Sequence, residues 1–224
     1  ANSEKCHTTM LLAKCCNDID LMKSFMADTK PMQIASFGGK YQFKPENAPE
    51  GAGNICMVDC PHVDTCVYST KRLYIDHPDR WAFYVWDKLE HIENPTIEDK
   101  INLMKSDSPY ARCIYKCDND VVDHQSVLVN FESGATGTHN MVGGSAQSLR
   151  KIHIIGTKGE ISGNFEESKY TIKKINPSPD AYNEECDIEE VDLNITGDMV
   201  GAYGGHGGGD ERLAADFVNF IRGD

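Results

Sequence analysis

Hydrophobic positions change period along the chain, dividing it into a helical start, an irregular middle, a run of strands and a closing helix. From about residue 10 to residue 26, Leu12, Cys15, Cys16, Ile19, Met22 and Met26 recur at helical spacing as one apolar stripe. Lys14, Asn17, Asp18, Leu21 and Phe25 fall on the other side, so two large apolar residues stand on a face that should be solvated. Pro31 opens an extended stretch over 32–43 that ends in the turn-rich Lys44-Pro45-Glu46-Asn47-Ala48-Pro49-Glu50-Gly51. Residues 52–76 read as irregular, and 78–89 and 97–104 as short helices. From residue 112 the pattern changes to strands: 113–115, then 126–131, where Val127, Val129 and Phe131 share a face at period two. The turn Glu132-Ser133-Gly134 leads to a hairpin partner over 135–141, and further strands are expected at 150–155, 160–163, 170–175 and 188–193. The glycine-rich segment 204–209 precedes a last helix over 210–222, with Gly223 at the C′ position. The pattern predicts an α+β fold with a large, mostly antiparallel sheet and helices packed on one face.

Composition narrows the partners. Lys and Arg number 22 against 35 Asp and Glu, a net charge of −13, so the chain's own field opposes binding to nucleic acid or anionic lipid. No apolar run approaches the roughly 20 residues of a membrane span, and Ala1-Asn2-Ser3-Glu4-Lys5 is too polar for a signal peptide. The cysteines number nine, an odd count with no evenly spaced disulfide framework, which points to a reducing, cytoplasmic setting.

No nucleotide-binding fingerprint is present. Gly51-Ala52-Gly53 is followed by Cys56 where a third glycine is required, and Gly39-Lys40 lacks the flanking residues of a P-loop. Cys56, Cys60 and Cys66 are spaced x3 and x5, off the tighter pairs usual for zinc, so buried free thiols are the plainer reading and zinc the alternative. Carboxylates gather beside an imidazole in Asp118-Asn119-Asp120-Val121-Val122-Asp123-His124, where Asp and Asn serve as turn formers and His124 is a candidate for chemistry. His206 stands among glycines that let a backbone approach a ligand, and Asp210 is placed to cap the last helix.

Several segments together resemble one family. Met10-Leu11-Leu12-Ala13-Lys14-Cys15-Cys16-Asn17-Asp18-Ile19-Asp20, Phe37-Gly38-Gly39, Phe43-Lys44-Pro45-Glu46-Asn47-Ala48-Pro49, Cys113-Ile114-Tyr115-Lys116-Cys117-Asp118-Asn119-Asp120, Gly156-Thr157-Lys158-Gly159-Glu160-Ile161 and Gly205-His206-Gly207-Gly208-Gly209-Asp210 are similar, in this order, to the C-terminal domain of the glucose–fructose oxidoreductase / inositol dehydrogenase / MocA family. The resemblance implies a dihydrodipicolinate-reductase-like domain spanning 1–224 as a single substrate-binding and oligomerisation domain. Its N-terminal Rossmann partner domain, which binds NAD or NADP, is absent from this chain, so the fragment alone is expected to bind no cofactor and to be inactive. The resemblance also implies a homodimer or higher homo-oligomer formed through the sheet face.

In the subgroup with a similar first helix, that helix supplies a histidine to the hydride-transfer site, and Asn17 stands at the matching position. An amide holds a hydroxyl by hydrogen bonds but cannot take its proton at neutral pH. That leaves Lys14, His124 or His206 as the acid/base group, or a protein that has lost activity. The reading that follows is an NAD(P)-dependent oxidoreductase acting on a sugar, cyclitol or related polyol. In it Lys14 orients the reacting oxygen, Asn17 hydrogen-bonds it, and Asp18, His124, His206 and Asp210 line the substrate side. A non-catalytic sugar-sensing or regulatory relative of the same fold is the second reading, favoured by Asn17. A zinc-stabilised interaction module built on Cys56, Cys60 and Cys66 is the third.

Overall fold

The structure is a computed structural model that describes residues 3–77, 83–178, 186–192 and 209–223. It is α+β with two antiparallel sheets, of three and four strands. The chain divides into two compact units, Ala1–Ser145 and Ala146–Asp224.

The first unit begins with the one-turn helix α1 (Ser3–Cys6) and the longer α2 (Met10–Phe25). Thr9 starts α2, its side chain accepting a hydrogen bond from the Leu12 backbone N–H at 3.2 Å and so satisfying one of the helix's unpaired amides. β1 (Pro31–Gly39) follows, then short helices α3 (Cys56–Asp59) and α4 (Phe83–Trp86), and α5 (Ile97–Met104). At the start of α5 a capping box joins Thr96 and Asp99, each side chain accepting from the other's backbone N–H. β2 (His124–Phe131) and β3 (Thr136–Val142) complete a sheet in the order β1-β2-β3, with Val127 opposite both Ser36 and His139.

Among the described residues, two hydrophobic clusters pack this unit. Val127, Val129 and Phe131 alternate onto one face of β2, where Leu11, Met22 and Met26 of α2 and its C-terminal end, together with Ala135, cover them. Approach of the helix is close: a Cβ added at Gly137 on β3 would lie 2.5 Å from the Met22 sulfur. The second core joins Val85, Met104 and Ala111 with Ile55, Met57, Tyr74, Ile75, Leu103 and Tyr110, and gives the middle of the chain its own packing without long elements.

The second unit is a meander, β4 (Lys151–Gly156), β5 (Gly159–Asn164), β6 (Lys169–Ile175) and β7 (Cys186–Asp192), paired in chain order. Helix α6 (Gly209–Arg222) belongs to it and ends at Gly223, whose φ of 80° and bond to the Asn219 carbonyl make the expected left-handed C-terminal cap.

Several expectations change. The strands expected in one large sheet lie in two, separated by the irregular segment 143–150. The inward stripe of α2 runs through Leu11, Cys15, Met22 and Met26, while Leu12 and Cys16 are exposed; both alternatives fit a helical period, and packing on β2 and β3 decides between them. Residues 113–115 form a turn and no strand, because the Cys113 carbonyl accepts from the Lys116 and Cys117 N–H groups. Of the helix expected over 78–89, α4 is the helical part among the described residues.

Candidate functional site

On α2, Lys14 and Asn17 are exposed and three residues apart, so they are neighbours on one helix face, continued by Leu21 and the exposed Phe25. The Asn17 Oδ1 accepts a weak bond from the Cys16 thiol at 3.6 Å, which leaves its amide nitrogen directed by nothing in the helix itself. Asp18 lies toward the sheet, its carboxylate 3.5 Å from His139 Nε2.

His124 sits at the start of β2, beside Gly39 across the β1–β2 pairing and edge-on to the Tyr41 ring. Its Nδ1 lies 3.0 Å from Asp123 Oδ1. Asp123 is 4% exposed, and its carboxylate also accepts the backbone N–H groups of Tyr41 (2.9 Å), Gln42 (2.7 Å) and Phe43 (3.0 Å). Burial pushes this carboxyl up, but the His124 hydrogen bond and the amides of Phe43, Tyr41 and Gln42 outweigh it and hold the pKa at about 2. An ionised carboxylate only accepts, so Nδ1 carries the proton and Nε2 is the acceptor of the neutral ring. The Asp123 carboxylate therefore fixes the orientation of the His124 ring.

The structure does not bring His124 to Lys14 and Asn17. Strand alternation gives His124 the parity of Ser126 and Leu128, whereas α2 packs on the face carrying Val127 and Val129. The carboxylates before Asp123 are structural: Asp118 pairs with Lys5 and Arg112, and Asp120 accepts from the Ser3 N–H and hydroxyl at 2.6 Å each. His206 lies outside the described residues. Asp210 is the second residue of α6, inside the first turn and past the expected cap position.

Cys56, Cys60 and Cys66 line one small cavity together with Cys113, His62, Tyr68 and Tyr115. Burial pushes the Cys113 thiol up, and the neighbouring Cys60 and Cys56 sulfurs add to this against backbone hydrogen bonds at Tyr115 and Lys116. Such a thiol is poor in the thiolate form that reacts or binds metal. His62 is held at the rim by the Glu50 carbonyl at 2.7 Å. Tyr68 meets both Phe43 and Tyr115 edge to face, Phe43 and Tyr68 with ring centres 5.1 Å apart, and Phe43 and Tyr115 are tilted to one another, so the cavity's apolar wall is part of the local packing.

Sequence reasoning missed two residues here. Asp123 was one carboxylate among several in a turn, and its role appears only when residues 41–43 fold over it. His139 drew no notice on an ordinary strand, although its alternation with Gly137 marks the helix-facing side. No protein-family model matches the chain, and no curated protein matches it. The residues and their geometry therefore carry the functional reading.

Proposed function

We propose that this chain is the substrate-binding and oligomerisation part of a cytoplasmic NAD(P)-dependent oxidoreductase acting on a sugar, cyclitol or related polyol. The observation that carries the proposal is the uncovered face of α2. Lys14 and Asn17 stand there as exposed neighbours at three-residue spacing, and about two turns further along the same face lies Phe25, which is 51% exposed. An ammonium and an amide on one rigid helix suit a polyhydroxylated ligand, because each hydroxyl both donates and accepts. An apolar ring on the same face suits a packed partner, here a nicotinamide-binding domain.

In this reading a bound nicotinamide would supply hydride chemistry at a carbinol carbon of the substrate, and this chain's residues would bind and orient that carbinol. Lys14 polarises the oxygen, Asn17 holds it, and Asp18 helps to set the helix on the sheet. His124 belongs to the opposite face of the β1-β2-β3 sheet and is left out of this site. That face exposes Phe37 and Leu128, apolar cover for a second copy of the chain. The sensing reading is kept because Asn17 cannot serve as a base.

The test is turnover by the intact gene product. Initial rates of NAD and NADP reduction over a panel of aldoses and cyclitols should show reduction with at least one of them. Saturable sugar binding without reduction would support the sensing reading. Neither binding nor reduction across the panel would overturn both.

A further inference from the structure

We propose that Cys15, Asp18 and His139 form a zinc site that clamps α2 to β3. One ligand atom from each residue lies within 4.8 Å of the other two, and this is the one such group of three or more His, Cys, Asp or Glu among the described residues. Cys15 and Asp18 are three residues apart on α2, so both project from one helix face, and the facing strand supplies His139. The thiol is 3% exposed and the imidazole 14%.

His139 supplies an independent reason. Its Nδ1 is buried and has no hydrogen-bond partner, and its Nε2 is 3.5 Å from the Asp18 carboxylate, too long for a good hydrogen bond. A partly buried imidazole with one buried nitrogen unpaired and the other loosely held is unusual at a helix–sheet contact. A metal would replace one of these weak positions by a ligand bond and fix the other nitrogen as N–H.

The donor set selects the ion. Calcium and magnesium take oxygen ligands throughout, whereas one sulfur, one imidazole nitrogen and one carboxylate oxygen suit Zn2+. Zinc bonds of about 2.0–2.3 Å place tetrahedral ligand atoms roughly 3.3–3.8 Å apart. The three atoms, within 4.8 Å of one another, would draw in by about 1 Å on binding. Asp18 is partly exposed, so solvent can supply the fourth ligand. Binding requires the Cys15 thiolate, whose proton passes to solvent, so uptake weakens as pH falls.

Metal-free protein of the full chain is to be titrated with Zn2+ by calorimetry and with Co2+ by absorbance, where a thiolate-to-cobalt charge-transfer band reports a cysteine ligand. One equivalent should bind and the band should appear. Cys15→Ser should abolish the band, and His139→Gln should lower affinity by more than the roughly 10–100-fold that outer-shell changes cost. The near-isosteric Asp18→Asn, checked for fold by circular dichroism, should also lower it. The triple variant Cys56→Ser, Cys60→Ser, Cys66→Ser should keep both signals. The proposal is overturned if the unaltered chain takes up no stoichiometric metal or only several weak equivalents. It is equally overturned if Cys15→Ser retains the band while the triple variant loses it, since the metal would then belong to the cysteine cavity.

Discussion

Replacing Asp123 by alanine is expected to destabilise the protein by about 3–5 kcal/mol, the largest loss from any single polar side chain described above. The carboxylate is the common acceptor for the backbone N–H groups of Tyr41, Gln42 and Phe43 and for His124 Nδ1. Alanine leaves those donors without a partner at a site where Asp123 is 4% exposed and Phe43 7% exposed, so water can reach only some of them. Asp123→Asn keeps one acceptor oxygen and should lose less. The same group sets an acid limit. Its folded pKa of about 2 lies below the ordinary aspartate value of 3.8, so its stabilisation, about 2 kcal/mol, is full above that value and is lost as pH falls through about 2. Urea unfolding at neutral pH and near pH 3 checks both points, read as a shift in midpoint at unchanged slope. A loss below about 1 kcal/mol for Asp123→Ala at neutral pH, taking the low end of the cost of orphaned donors, would mean that the 41–43 segment is held by something else.

Asn17→His in the intact gene product is expected to raise the rate of nicotinamide reduction. A positioned general base contributes about 10²–10⁴-fold, and imidazole is the side chain whose ordinary pKa lies near neutrality. Position 17 is exposed on α2 and packs against nothing in the first core, so the substitution should leave stability within about 0.5 kcal/mol. Asn17→Gln, which keeps an amide and adds no base, should show no gain. If Asn17 holds the substrate oxygen as proposed, histidine keeps that hydrogen bond, so the gain should appear in kcat with little change in KM. An unchanged rate with substrate bound normally would show that the proton goes to another residue.

Local pattern made most elements legible. The stretch 97–104 coincides with α5, because Thr96 and Asp99 mark its start and the apolar spacing marks its length. The hairpin of β2 and β3 follows from the alternation of Val127, Val129 and Phe131 and the turn after them. What local pattern could not decide was set by packing between distant segments. Whether Leu11 or Leu12 faces inward depends on where the sheet lies, and residues 113–115 are too few for a period to separate strand from turn. The division of the strands between two sheets was equally hidden, since alternation identifies a strand and not its neighbour. The candidate site was legible in part: Lys14 and Asn17 share a face as their spacing implies, but His124 faces away because strand parity, invisible until the register is known, turns it to the other side.

The claim that this chain is the substrate side of a two-part nicotinamide enzyme is tested most directly by calorimetric titration of NAD and NADP into two proteins, the intact gene product and the chain of 224 residues. Saturable binding of one cofactor to the intact product and no saturable heat with the 224-residue chain is the predicted result, because that sequence carries no glycine fingerprint of a phosphate-cradling turn. Micromolar binding of either cofactor to the shorter chain, or no binding to the intact product, would contradict it.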